Sequence, residues 1–141
     1  MEAARDIHKT ANATRSCYQT GAQALSRFQF DEAEVAYDLI RQTDDVAEIA
    51  KHTKISIERV KRIKDHLFNK THALDDGVLR FDAHPLIANA WHRVQAGTHT
   101  TQDLQLLDHE LYESMFEGIF KTNYRTAHDA ANRSGRLSGL E

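Results

Sequence analysis

The apolar residues of this chain recur at intervals of three and four, which is the period of an α-helix, and no strand-like alternation persists. The pattern predicts helices over residues 31–43, 46–53, 57–70, 85–96, 101–120 and 123–132. Ser56 is typical of an N-cap, Pro85 of a first helical turn and Gly97 of a C-terminal cap. Residues 71–83 contain an Asp-Asp-Gly turn signal and predict a loop or a short hairpin. The expected fold class is therefore all-α, as one compact multi-helix domain.

Composition supports this picture and limits the function. Residues 1–28 are rich in Ala, Thr and Gln and predict an N-terminal helix or a leader from a longer parent chain, while residues 29–141 form the helical domain. The net charge of -3 creates no overall field that attracts nucleic acid, so any basic patch must be local. The single cysteine excludes an intramolecular disulfide. No apolar run is long enough to predict a membrane-spanning segment.

Residues 45–63 have the spacing of a helix-turn-helix within a trihelical unit, with small Ala50 in the first helix and aliphatic Val60 and Ile63 in the second. Lys54 departs from the pattern, because the turn usually prefers glycine there. The predicted buried stripe is Ile57, Val60, Ile63 and Leu67, and the opposite face carries Arg59, Arg62, His66 and Lys70. With Lys64, the basic residues Arg59, Arg62 and Lys70 are candidate contacts to nucleic acid. A purely structural unit with a solvated basic face is the alternative.

The chain has nine histidines, and seven of them lie between His66 and His128. Asp108-His109-Glu110-Leu111-Tyr112-Glu113 falls inside the helix predicted over 101–120. There, Leu104, Leu107, Leu111 and Met115 form the expected core stripe. His109 and Glu113 share a second, partly buried seam with Leu106, Phe116 and Phe120. Glu110 and Glu117 are expected to point toward solvent or a rim.

The His109–Glu113 pair allows three interpretations. In the first, the pair binds zinc or another divalent metal, with Glu110 as general base and a third ligand from His66, His72 or His128. In the second, no cofactor is needed: His109 with Glu113 or Glu110 forms an acid/base pair, completed by a second histidine and a cation such as Arg93. In the third, His109 and Glu113 only hydrogen-bond to each other inside a helix interface, and their role is structural. The candidate catalytic residues are His66, His72, Arg93, His109, Glu110, Glu113 and His128.

Several short motifs between residues 44 and 130 resemble the C-terminal toxin modules of bacterial polymorphic toxins, of the rearrangement-hotspot, LXG or phage-head-linked type. The motifs are Ile63-Lys64-Asp65-His66-Leu67-Phe68, His72, Arg80-Phe81-Asp82, Ala90-Trp91-His92-Arg93, Asp103-Leu104, Leu107-Asp108-His109-Glu110 and Ala127-His128-Asp129-Ala130. The resemblance places functional residues at His66, His72, Arg93, His109, Glu110 and His128. The tail at 133–136 departs from it by lacking an aromatic ending.

The resemblance implies an antibacterial effector that is delivered as part of a larger protein, acts in the cytoplasm of the target cell and is neutralised by a cognate immunity protein. Such modules are frequently nucleases, which favours RNA cleavage here. The expected mechanism has His109, oriented by Glu113, take the proton of a 2′-hydroxyl, while His66 or His128 protonates the leaving oxygen. Arg93 or Lys64 would stabilise the phosphorane charge. The alternatives are a metal-dependent hydrolase with His109 and Glu113 as ligands, and a non-enzymatic helix-turn-helix nucleic-acid-binding or adaptor protein.

Overall fold

The computed structural model describes residues 25–140 of the chain, which form a mainly helical fold with one small hairpin. In chain order the elements are α1 (Arg27–Gln42), α2 (Val46–Thr53), α3 (Ile57–Lys64), a π-helical turn (Asp65–Asn69), β1 (Thr71–Leu74), β2 (Gly77–Arg80), α4 (Pro85–Ala96), α5 (Thr101–Phe120) and α6 (Tyr124–Arg133). The predicted fold class is confirmed. Most of the predicted N-terminal helix or leader lies outside the described residues.

The helix termini follow local capping chemistry. Helix α1 begins earlier than the predicted residue 31, because Ser26 is its N-cap. The Ser26 hydroxyl accepts from the Gln29 N–H at 3.2 Å, and the Gln29 side chain accepts from the Ser26 N–H at 2.7 Å. This reciprocal capping box satisfies two backbone donors that the first turn leaves without helical partners. The caps predicted at Ser56 and Gly97 are present.

The end of the third predicted helix differs from the expectation. Helix α3 is α-helical only to Lys64, and the chain then forms a π-helical turn in which the Lys70 N–H donates to the Asp65 carbonyl at 2.8 Å. A π-turn closes over five residues and so changes the direction in which the following side chains point. His66 is therefore buried rather than on the basic face, where the regular helical projection had placed it.

The core lies between α1, α2, α3, the π-turn, α4 and the N-terminal half of α5, around Ile49, Trp91 and Leu107. Asp45, directly before α2, is buried and accepts from Lys64 Nζ at 2.6 Å, Trp91 Nε1 at 2.9 Å and Gln95 Nε2 at 2.7 Å. The assignment of Lys64 to a nucleic-acid-binding face is wrong for this reason. A buried ammonium needs a charged partner, and Asp45 supplies it.

The helix-turn-helix arrangement of α2 and α3 is as predicted, and Lys54 between them adopts the left-handed conformation with φ 63°. Arg59, Arg62 and Lys70 are exposed, as expected. Ile57 was placed in the buried stripe but is half exposed, because it is the first residue of α3 and only the later turns are covered. In the part of the chain that the structure describes, no helix combines the length and apolarity needed to cross a membrane.

The predicted loop or hairpin is a hairpin. Strands β1 and β2 pair antiparallel, with Thr71 opposite Arg80 and Leu74 opposite Gly77. Gly77 has φ 128°, a conformation that residues with a Cβ rarely adopt. The hairpin directly follows the π-turn and places His72 of β1 against the buried part of the fold.

Candidate metal centre

Five ionisable side chains from three elements meet around Glu113. His66 comes from the π-turn, His109, Glu110 and Glu113 come from α5, and His128 comes from α6. All five are at most 1% exposed. Helix α5 contributes three of the five residues, and its neighbours are α6, which packs along it, together with α3 and the π-turn. The burial of so many ionisable groups in one place requires that they satisfy one another or hold an ion.

The first part of the cluster surrounds one oxygen of Glu113. Oε2 lies 2.5 Å from His109 Nε2 and 2.7 Å from His128 Nδ1. The two ring nitrogens are 3.1 Å from each other. Three potential ligand atoms therefore lie close together, and such a group could hold a metal ion.

The second part of the cluster surrounds the other oxygen. Glu113 Oε1 lies 3.1 Å from His66 Nε2, and Glu110 Oε1 lies 3.5 Å from the same nitrogen. His66, Glu110 and Glu113 thus form another group whose ligand atoms converge. The Glu113 carboxylate connects the two groups.

A separate pair, His72 and Glu117, adjoins His66. His72 Nε2 donates to the His66 carbonyl at 2.8 Å, and His72 Nδ1 lies 2.8 Å from Glu117 Oε1. The His72 ring stacks on Phe81 with a centroid separation of 3.8 Å. Glu117 is only partly buried, which agrees with its predicted place at a rim.

The contact of His109 with the backbone fixes the proton on its ring. Nδ1 lies 2.5 Å from the carbonyl oxygen of Arg136, and because a carbonyl only accepts, Nδ1 must carry a hydrogen. In a neutral imidazole, Nε2 then has a lone pair, and this lone pair faces the carboxylate of Glu113. Either His109 is an imidazolium ion, or a cation lies between the two groups.

His128 occupies the middle of a row of side chains on α6. Tyr124 Oη lies 3.2 Å from its Nδ1, and the Asn132 amide nitrogen lies 3.3 Å from its Nε2. The amide oxygen of Asn132 is buried and has no hydrogen-bond partner. Exchanging the amide oxygen and nitrogen, which differ little in shape, would let Asn132 accept from Nε2–H. His128 Nδ1 would then offer its lone pair to an ion.

The electrostatics favour an ionised carboxylate. Burial raises the pKa of Glu113, but hydrogen bonds from His109, His128 and His66 act in the opposite direction and hold that pKa well below its ordinary value of 4.5. Burial lowers the pKa of His66, and its hydrogen bond with Glu113 opposes this effect only in part. Without an ion, Glu113 is therefore an ionised carboxylate that accepts hydrogen bonds from the surrounding histidines.

The structure brings together five of the seven candidate catalytic residues, with His72 beside them, but it places Arg93 elsewhere. The Arg93 guanidinium forms two parallel hydrogen bonds with Asp103, at 2.7 and 2.8 Å. Asp103 lies six residues before His109 in α5, about 9 Å along the helix axis. The Arg93 hydrogen bond also holds the pKa of Asp103 below its ordinary value. The structure therefore does not place Arg93 beside the histidines, and Lys64 is paired with Asp45.

Two expectations for α5 are also corrected. Glu110 was expected near solvent but is 0% exposed, because α6 and the π-turn cover a wider arc of α5 than one apolar stripe. Met115 was expected in the core stripe but is 43% exposed, since it lies on the uncovered side of the helix.

Sequence reasoning missed two polar residues with defined roles. Tyr124 lies four residues before His128, as Asn132 lies four residues after it, and this spacing could have identified Tyr124. His84 is buried and caps α4 by accepting from the Leu86 N–H at 3.1 Å. Its place directly before Pro85, which favours the first turn of a helix, was the available signal.

Comparison with protein-family models, curated proteins and solved structures yields no significant match for this chain. The geometry of the site is therefore the basis for assigning a function.

Proposed function

We propose that this domain is a divalent-metal-dependent hydrolase whose metal is held by His109, Glu113 and His128. The observation that carries the proposal is the convergence of three donor atoms that lie within 3.1 Å of one another in a buried site. Two histidines and one glutamate are a known ligand set of catalytic zinc, which keeps a further position open for water or substrate.

The protonation of His109 favours a metal over the metal-free mechanism. Without a cation, His109 must be an imidazolium ion to donate to both Arg136 and Glu113. An imidazolium ion has no lone pair and cannot take the proton of a hydroxyl group. With a metal, the same ring is neutral, binds through Nε2 and donates through Nδ1 to the Arg136 carbonyl. This is the usual outer hydrogen bond of a metal-bound histidine.

Arg93 is paired with Asp103 and does not bring positive charge to the histidine cluster. A bound divalent ion would supply that charge. It would lower the pKa of bound water to about 7 and stabilise negative charge on the substrate. In phosphodiester hydrolysis, the water oxygen forms a bond to phosphorus, the bond to the leaving oxygen breaks, and the water proton ends on that oxygen. With a single ion bound, Glu110 and His66, on the remaining side of Glu113, would be close enough to the ligand set to relay this proton.

The substrate class rests on the resemblance to polymorphic-toxin modules, which supports nucleic acid, with RNA favoured, and a cognate immunity protein as partner. The ligand atoms are buried, so substrate entry requires part of the fold to move. The C-terminal segment, residues 134–140, contacts the cluster through the Arg136 carbonyl, and its displacement would expose His109.

The test is controlled expression in bacteria, with growth, total RNA and total DNA followed over time. Wild type should arrest growth and degrade nucleic acid, while His109→Ala should do neither. His92→Ala is the matched control, because His92 is exposed on α4 and pairs only with Gln95. If expression of His109→Ala arrests growth as strongly as expression of wild type, the site assignment is overturned.

The metal requirement is tested on purified protein. Dialysis against a chelator should abolish nuclease activity, and added zinc or manganese should restore it in wild type but not in His109→Ala. Full activity after removal of metal would contradict the metal requirement and favour the metal-free acid/base mechanism.

The exposed basic face of α3 supports a second candidate, a non-enzymatic protein that contacts nucleic acid through Arg59, Arg62 and Lys70. This function predicts binding with a steep salt dependence and no turnover. Replacement of Arg59 and Arg62 by alanine should reduce the salt slope, while His109→Ala should leave binding unchanged.

A further inference from the structure

Only one oxygen of Glu113 belongs to the metal site proposed above, and the other faces His66. We propose that a second divalent ion binds between His66, Glu110 and Glu113, so that Glu113 bridges two metals. The inference extends the proposed metal site and rests on it. Its test separates the failure of the second ion from the failure of the first.

The two oxygens of Glu113 are directed to different histidines. Oε1 lies 3.1 Å from His66 Nε2, while Oε2 lies 2.5 Å from His109 Nε2 and 2.7 Å from His128 Nδ1. A carboxylate that bridges two ions directs one oxygen to each, and here each oxygen of Glu113 has at least one histidine nitrogen beside it.

Glu110 divides its oxygens in the same way. Its Oε1 lies 3.5 Å from His66 Nε2, and its Oε2 lies 4.0 Å from His109 Nε2. Glu110 and Glu113 are three residues apart on α5, so that both carboxylates project from adjacent turns into the same space. Two carboxylates that each reach both histidine groups match a two-metal site, in which the ions lie about 3.5–4 Å apart.

Charge is compatible with an ion at the cluster. Glu110 and Glu113 are both 0% exposed, and two buried carboxylates side by side cannot both ionise unless protons or cations lie between them. One divalent ion balances the charge of these two carboxylates, so the second ion rests on the geometry of the ligand atoms rather than on charge.

The surroundings of His66 suit a ligand. The His66 carbonyl accepts from His72 Nε2, which anchors the π-turn that points the His66 ring at the carboxylates. His66, His72 and Glu117 also offer donor atoms that lie within 4.8 Å of one another. His72 and Glu117 can therefore complete the coordination of the second ion on its outer side.

The test measures zinc bound per chain by elemental analysis, after saturation and removal of loose metal. Wild type and the control His92→Ala should each bind two ions, while His66→Ala should bind one and retain the ion at His109. One ion in wild type would overturn the second site and leave the first intact. No ion in wild type would overturn both. Circular dichroism establishes that each variant is folded.

A second measurement needs no variant. Electron paramagnetic resonance of the wild-type protein saturated with manganese should show the exchange-coupled signal of two nearby Mn²⁺ ions. Spectra of magnetically isolated manganese at saturation would contradict the second site, even if His66→Ala failed to fold.

Discussion

His109 Nδ1 lies 2.5 Å from the carbonyl oxygen of Arg136, so the backbone of the C-terminal segment selects the tautomer of the central histidine. A proton is held on the nitrogen that faces away from Glu113, which leaves Nε2 as the nitrogen that faces the carboxylate. A contact between residues 27 positions apart thus determines the chemistry at the centre of the cluster.

Glu113→Gln should remove metal binding and the stability that metal provides. Glu113 contributes an oxygen to both proposed ions, and the neutral amide is a much weaker ligand. At a free zinc concentration about 100 times the dissociation constant, one ion adds about 2.7 kcal/mol to the free energy of unfolding, which is roughly 10 °C in Tm. Thermal unfolding with and without chelator measures the difference, which should vanish in the variant. An equal chelator effect in both proteins would exclude Glu113 as a ligand.

Asp45→Ala should destabilise the fold by about 3–5 kcal/mol, because it leaves the Lys64 ammonium buried without its charged partner. Lys64→Met should cost less, since Asp45 keeps its hydrogen bonds to Trp91 and Gln95. Urea unfolding of wild type, both single variants and the double variant gives a double-mutant cycle for the Asp45–Lys64 pair. If the double variant is no more stable than Asp45→Ala, the penalty does not come from the unpaired ammonium.

The helices could be predicted from sequence because their signals are local. Ser56, Pro85 and Gly97 mark helix ends within a few residues, and apolar spacing gives the interiors. The Ser26–Gln29 capping box was equally local and simply went unrecognised.

The candidate site was predictable only in part. Its residue types were visible in sequence, but the His66–Glu113 contact spans 47 positions and depends on packing. The π-turn that rotates His66 inward has no sequence signature comparable to a cap. For the same reason, the side-chain pairing of Arg93 with Asp103, rather than with a substrate, could not be derived from helical projection.

Lys54→Gly should stabilise the domain by about 0.5–1 kcal/mol. Lys54 has φ 63°, where a Cβ costs about 1–2 kcal/mol, and the greater flexibility of glycine in the unfolded chain offsets part of that gain. Lys54→Ala is the matched control, since alanine keeps the Cβ and should stay within about 0.5 kcal/mol of wild type. Chemical denaturation measures both, and equal stability of the two variants would argue against backbone strain.

His84→Asn should weaken the acid sensitivity of the fold. Burial lowers the pKa of His84 to about 3, whereas the unfolded chain titrates near its ordinary value of 6.5. As pH falls through this window the unfolded state binds the proton first, so stability present above pH 6.5 declines by about 1.4 kcal/mol per pH unit. Asparagine keeps an acceptor for the Leu86 N–H but does not titrate.

The relevant quantity is the slope of the free energy of unfolding against pH between pH 6 and 4. The slope should be smaller in His84→Asn than in wild type by about 1.4 kcal/mol per pH unit, which corresponds to the binding of one proton fewer on unfolding. Parallel curves would indicate that His84 is protonated in the folded domain.

The most direct test of the central claim is an anomalous-difference map, recorded at the zinc absorption edge, from crystals of the domain grown with zinc. The account predicts a strong peak within bonding distance of His109 Nε2, His128 Nδ1 and a Glu113 oxygen. A map without a peak at this position, with the two rings hydrogen-bonded directly to Glu113, would contradict it.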